Sequence, residues 1–159
     1  MNSTLSIWNR IGRSAFGRWL FSRIISLKAP YFASISPRFT QLEPGRCAVS
    51  MRKRRGVQNH LGTVHAIAMC NMAELSGGMM TEVSIPSSHR WIPVGMTVQY
   101  LKKAKTDLVA TATPAASLTA DSFNEDGEFP VNVDVTDTSG TTVLKAQITM
   151  MVSRKPSRV

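Results

Sequence analysis

The chain has 159 residues, a length that suits one domain, and its 43% hydrophobic content is enough for a real core and excludes a disordered tail. Its two cysteines, Cys47 and Cys70, form no disulfide framework and no metal-ligand pattern, which predicts a cytoplasmic protein without a metal site. The net charge of +9 is uneven: residues 1–55 hold eleven Lys and Arg against one acid, and residues 56–159 hold eight against nine acids. Residues 56–159 are nearly neutral and contain no known motif that reads DNA or RNA, so a nucleic-acid partner is not expected.

The first 28 residues contain no acid and predict an amphipathic helix with a basic polar side, within an N-terminal extension over residues 1–37. Apolar side chains recur there at three- and four-residue steps: Trp8, Ile11, Ala15, Phe16, Trp19, Leu20 and Ile24. Three interpretations remain open. The helix packs on the domain as a cover, residues 5–27 rest peripherally on an anionic membrane, or the segment is a cleaved targeting signal.

Two short strands follow, over residues 38–43 and 46–53, joined by the turn Pro44-Gly45. The run of four basic residues at 52–55 resembles a nucleic-acid patch in isolation. A strand end leading into a solvated loop is the simpler interpretation, and some of these charges can face a phosphate.

Residues 64–80 predict one long helix, rich in Ala and Met and apolar on nearly every face, so it should be buried all round. Thr63, or the pair Gly62-Thr63, can cap its start. Gly77 and Gly78 either weaken or end the helix, or allow a neighbour to pack closely.

The rest of the chain predicts strands, because apolar and polar residues alternate in it. The alternating segments are 96–101, 108–113, 131–135 and 144–152. The turn sequence at 137–140 joins the last two as a hairpin. An alternating antiparallel sheet has one apolar face to cover, and wrapping it around the single apolar helix buries both partners. The sequence therefore predicts an α+β hotdog domain over residues 38–155.

Glu74 is the first candidate for chemistry. A carboxylate inside a buried helix loses solvation and needs partners or a raised pKa, and such a group is a functional candidate. The alternative is a subunit interface in which a basic residue neutralises it. His60 and His65 lie at the helix start, where free backbone N–H groups can hold an oxyanion, although a lone histidine there is more often a cap or packing residue.

The stretch from Asn59 to Ala66, continuing to Glu74, resembles the active-site signature of hotdog acyl-CoA thioesterases of the phenylacetic-acid-pathway type. Asn59 precedes His65 by six residues and His65 precedes Glu74 by nine, the steps of that family. The resemblance covers about residues 38–153 and is greatest to an uncharacterised thioesterase-like branch.

The resemblance implies a role for each matched residue. Glu74 would be the general base or nucleophile on the thioester carbonyl. The backbone N–H of Ala66, with His65 beside it, would form the oxyanion hole, and Asn59 would position the water or the carbonyl. The family usually has Gly where this chain has Ala66, and a methyl group there narrows the approach of the thioester or demands another backbone angle.

The same resemblance implies a site between subunits of a homodimer or a dimer of dimers. The substrate would be a thioester of CoA or acyl carrier protein, and no further cofactor is expected. The candidates for the CoA phosphates are four basic residues: Arg90, Lys102, Lys103 and Lys105. The alternative is that these basic residues simply lie at a solvated strand end. The methionines of the helix are expected either to border an acyl tunnel or to fill the core.

Acyl-thioester hydrolysis is thus the predicted function, and two others stay open. His60 and Glu74 are fourteen residues apart, the spacing of the catalytic pair in hotdog dehydratases of hydroxyacyl thioesters, although the proline-bearing loop of those enzymes is missing. The domain could also bind acyl thioesters or fatty acids without turning them over.

Overall fold

The computed structural model describes residues 2–119 and 121–156, and in them one long helix packs against a six-stranded antiparallel sheet. The elements are α1 (Ser3–Ile11), α2 (Ala15–Lys28), a 3-10 helix (Pro30–Ile35), β1 (Arg38–Glu43), β2 (Arg46–Met51), a second 3-10 helix (Arg55–Val57), α3 (Ala66–Ser84), β3 (His89–Tyr100), β4 (Leu108–Pro114), β5 (Gly127–Asp137) and β6 (Thr142–Arg154). The strand order is β1-β2-β4-β5-β6-β3, and α3 contacts every strand. This is the predicted hotdog fold.

The alternation of the late strands decides which face of the sheet meets α3. Val131 and Val133 of β5 pair with Ile148 and Ala146 of β6, and all four side chains are buried. The predicted β5–β6 hairpin is confirmed, and its turn places Gly140 at a φ of 81°, a left-handed angle that glycine adopts without strain.

The two glycines of α3 serve close packing and do not end the helix, which continues to Ser84. A Cβ on Gly77 would stand 2.9 Å from Cδ1 of Ile148, and one on Gly78 would stand 2.6 Å from the Trp91 ring. Because these two residues have no side chain, α3 can pack directly against β6 and β3 of the sheet.

The predicted cap at Thr63 or Gly62-Thr63 is wrong, because α3 begins later, with His65 as its N-cap. Two backbone hydrogen bonds hold the preceding residues extended: Val64 N–H donates to the carbonyl of Ala104 and His65 N–H to that of Val57, both at 2.8 Å. These long-range bonds exclude helical geometry before residue 66.

The N-terminal extension consists of two helices that join the main core. Ser14 caps α2 by accepting a hydrogen bond from Gly17 N–H at 2.9 Å. Trp8 of α1 meets Phe21 of α2 with ring centroids 5.1 Å apart, and Phe21 meets Phe39 of β1 at 5.2 Å. The segment packs on the domain, as one of the three interpretations expected, but it forms two helices where the sequence predicted one. A domain boundary after residue 37 stays a prediction. No helix in the described ranges has both the length and the apolarity to cross a bilayer.

We expect Phe21→Ala to lower the free energy of unfolding by about 3–5 kcal/mol, because it empties the centre of this aromatic cluster. Phe16→Ala on the same helix is the matched control, since Phe16 is 69% exposed and its loss should change stability by less than about 0.5 kcal/mol. Urea unfolding followed by circular dichroism measures both. Equal stability of the two variants would mean that α2 is not part of the cooperative core.

Candidate active site

One stripe of α3 is left open by its own chain. Ile67 is 55% exposed, Cys70 is half-buried and Glu74 is exposed, at successive turns of the same face. Among the described residues the Glu74 carboxylate has no hydrogen bond or ion pair. The expectation that its own helix and sheet desolvate Glu74 is therefore wrong. The methionines of the buried faces are core filling: Met69, Met72, Met79 and Met80.

The open stripe of α3 borders the edge strand β3, whose second edge has no partner strand in the described residues. Three β3 residues lie opposite buried residues of β6 and so point to the helix side of the sheet: Met96, Val98 and Tyr100. The Tyr100 hydroxyl is 3.2 Å from Sγ of Cys70, and this contact raises the pKa of the Tyr100 phenol. The contact between Tyr100 and Cys70 joins the open stripe of α3 to β3.

The first turn of α3 offers free hydrogen-bond donors. His65 Nδ1 accepts from Ile67 N–H at 3.1 Å, so a neutral His65 ring carries its proton on Nε2. Met69 N–H donates to the His65 carbonyl. In the part of the chain that the structure describes, the N–H groups of Ala66 and Ala68 have no acceptor. A free donor at a helix N-terminus suits a developing oxyanion.

Asn59 shapes the loop before α3. Its Oδ1 accepts from Leu61 N–H at 3.0 Å and Thr63 N–H at 3.2 Å, and its Nδ2 donates to Thr63 Oγ1 at 3.0 Å. The side chain is thus largely used locally, and one Nδ2 hydrogen remains for a substrate. His60, in the same loop, is exposed.

A cleft of about 360 Å³ lies between this loop, the start of α3 and the end of β3. It brings together four of the predicted residues: Asn59, Ala66, Lys102 and Lys103. Lys105 is exposed just beyond it. Arg90 lies at the other end of β3, where its Nε donates to Ser153 Oγ at 3.3 Å. Ten strand residues at the rise of an extended chain place Arg90 roughly 33 Å from Tyr100. One chain therefore does not gather all four basic candidates.

Glu74 also lies far from the oxyanion donor of its own chain. Glu74 follows Ala66 by eight positions in the helix, a rise of about 12 Å along the axis. A carboxylate that attacks a carbonyl carbon must come within about 3.5 Å of it while the donor holds the oxygen. Within a single chain the two groups cannot serve the same carbonyl.

A known family model matches most of the chain. Residues 17–152 match the family model described as a domain of unknown function, DUF4442. The chain belongs to the DUF4442 family. The match begins in α2, so the family's domain includes the helix that packs on β1. No functionally curated protein matches the chain.

Solved structures share the fold of this DUF4442 chain. The structural-genomics protein APC5556 is 43% identical over 96% of this chain and 98% of its own, with a TM-score of 0.79. The Pseudomonas aeruginosa protein PA5026, described as a probable thioesterase, is 24% identical over 82% and 91%, with a TM-score of 0.71. The Haemophilus influenzae thioesterase HI1161 is 12% identical over 78% and 82%, with a TM-score of 0.68. The predicted hotdog fold is confirmed, and the chain resembles these thioesterases in fold.

Asn71 is a polar residue near the site of this DUF4442 chain that the sequence analysis missed. It is 6% exposed, its Nδ2 donates to Ser34 Oγ at 3.1 Å, and its Oδ1 has no partner in the described residues. It borders a second, smaller cleft of about 190 Å³ together with His65 and Ile67. An amide within the apolar run before Glu74 was the available signal.

Proposed function

We propose that this chain hydrolyses acyl thioesters in a site shared by two subunits, with Glu74 of one copy acting on a carbonyl that Ala66 N–H of the other copy polarises. The observation that carries the proposal is the separation of about 12 Å between these groups in one helix. Both groups border open surface, which a second copy can cover. The exposure of Glu74 in the single chain then has a reason.

The chemistry follows from the two groups. Glu74 takes a proton from water as the water oxygen bonds to the carbonyl carbon, or the carboxylate attacks that carbon directly. The carbonyl oxygen gains negative charge, which Ala66 N–H at the positive end of α3 stabilises, with His65 Nε2–H beside it. Collapse of the tetrahedral intermediate breaks the C–S bond, and the thiolate leaves and takes up a proton, from protonated Glu74 on the first route and from solvent on the second. On the second route the acyl group remains on Glu74 as an anhydride, which water hydrolyses to the free acid and the carboxylate.

Ala66 in place of glycine does not strain the backbone. Among the described residues Ser36 is the one non-glycine with positive φ, so Ala66 has ordinary helical geometry and its N–H keeps the direction of the helix axis. Its methyl group narrows the cleft and leaves the donor in place.

The edge strand β3 is the surface through which we propose that two copies pair. Apolar side chains project from both of its faces, with Ile92 61% exposed and Val94 55% exposed. An unpaired apolar edge is a template for a strand of another chain. Pairing about the middle of β3 would carry Arg90 of one copy towards the Lys102 end of the other, uniting the basic candidates for the phosphates of CoA or a carrier prosthetic group.

The test is a hydrolysis screen of the purified full-length chain over short to long acyl-CoA thioesters, with free thiol as the readout and light scattering to count subunits. We expect thiol release by an oligomer. Absence of release across the panel, with an acyl thioester retained on the protein, would assign binding without catalysis. Conversion of crotonyl-CoA without thiol release would assign the hydratase chemistry.

A further inference from the structure

The outward face of α2 carries both apolar and basic side chains. The thioester site proposed between two subunits does not account for them. Helix α2 buries one face on β1 through Phe21 and Ile25. Its opposite face carries large side chains at helical spacing, which we call the outer stripe: Phe16, Trp19, Leu20, Arg23 and Leu27. Leu27 is 82% exposed. A contiguous apolar surface of this kind marks an interaction site.

The aromatic residues of the outer stripe are organised at the surface. The rings of Phe16 and Trp19 stack with centroids 5.6 Å apart, and the guanidinium of Arg23 lies 5.9 Å from the Trp19 ring centroid. An aromatic platform beside a cation suits a water–lipid boundary, where rings enter the interface and cations remain at the headgroups.

A basic cleft adjoins the outer stripe and shares Trp19 and Arg23 with it. This arginine cleft has a volume of about 540 Å³ and is also lined by Arg38 and Arg52. In residues 2–119 and 121–156, none of its three guanidiniums forms a salt bridge. The one carboxylate in its lining, Asp107, accepts a hydrogen bond from Lys53 N–H at 2.8 Å. Three unpaired guanidiniums around one cleft favour phosphate oxygens.

We propose that the outer stripe and the arginine cleft together dock the protein on an anionic phospholipid surface, the apolar side chains entering the interface and the arginines binding lipid phosphates. Charge selects this occupant over a second copy, because residues 2–42 contain no acid and two such surfaces repel. A soluble phosphate compound would leave the outer stripe unused. The surface lies at the β1 edge of the sheet, opposite β3, so pairing through β3 leaves it free.

Flotation of the full-length chain with lipid vesicles tests this proposal without reference to hydrolysis. We expect retention by vesicles of phosphatidylcholine mixed with phosphatidylglycerol, release at high salt, and little binding to phosphatidylcholine alone. The variant R23Q/R38Q/R52Q should weaken partitioning on the order of 100-fold, the effect of three surface cations. The variant K145Q/R154Q/K155Q, which removes three charges on β6 and just after it, away from β1, is the matched control and should bind nearly as the natural protein does.

Insertion of the outer stripe has its own readout. Bromine-labelled phospholipids should quench tryptophan fluorescence, and Trp19→Phe should remove most of that quenching because Trp8 is buried and Trp91 packs on Gly78. Thermal unfolding checks that each variant is folded. Equal binding to neutral vesicles, equal loss in both charge variants, or retention by a soluble acidic protein with no vesicle binding would overturn the proposal.

Discussion

Glu74→Gln is expected to lower thioester hydrolysis by about 10³-fold or more, because a positioned general base or nucleophile supplies rate of that order. The amide has nearly the shape of the carboxylate but neither takes a proton nor attacks a carbonyl carbon. Glu74 has no hydrogen bond or ion pair to other described residues, so the substitution should not lower the stability of the fold. The measurement is the kcat for free-thiol release on the best acyl-CoA of the panel.

Glu82→Gln is the matched control on the same helix. Glu82 accepts hydrogen bonds from Trp91 Nε1 at 2.8 Å and from Asn2 Nδ2 at 3.1 Å, a structural role at the far end of α3. Its amide variant should keep kcat and lose about 1 kcal/mol of stability. If Glu74→Gln hydrolyses as fast as the natural protein, Glu74 has no part in the chemistry.

The fold was predictable where its causes are local. Alternation in the late strands and the apolar composition of α3 each pointed to one burial pattern, and together they required a sheet covering a single helix. Strand β3 shows the limit: it begins at His89, seven residues before the alternation at Met96, because a bulge between Pro93 and Gly95 disrupts the pattern.

The roles of the candidate site residues stay predictions, and their arrangement in space was harder to predict from the sequence. Composition made α3 look buried all round, whereas the exposure of Glu74 depends on β3 being the last strand of the sheet. The start of α3 depends on hydrogen bonds from Val64 and His65 to distant carbonyls, which no local pattern records. The role expected for Asn59, to position the water or the carbonyl, stays a prediction, and the local hydrogen bonds that use most of its amide were not predicted.

Ala66→Pro tests the oxyanion donor by removing one N–H and little else. Proline is favoured at the first position of a helix, and His65 has φ −66° and ψ 139°, the extended geometry that the residue before a proline prefers. The variant should therefore fold while kcat falls by about 10²–10³-fold, the loss measured when one oxyanion donor is removed. Ala66→Gly, which keeps the N–H, is the control and should remain active.

Pairing the two inactive variants decides whether the site is shared between subunits. Co-expression of Glu74→Gln and Ala66→Pro chains with different affinity tags allows the mixed oligomer to be purified. In a two-fold dimer one site then combines an intact Ala66 N–H with an intact Glu74 from the other chain, so about half of the wild-type activity should return. If each chain built its site from its own residues, every site in the mixed dimer would lack one group and activity would stay at the level of the parent variants. That outcome would contradict the shared site. It would also overturn the inference that the two groups of one chain, about 12 Å apart along the helix, cannot act on the same carbonyl.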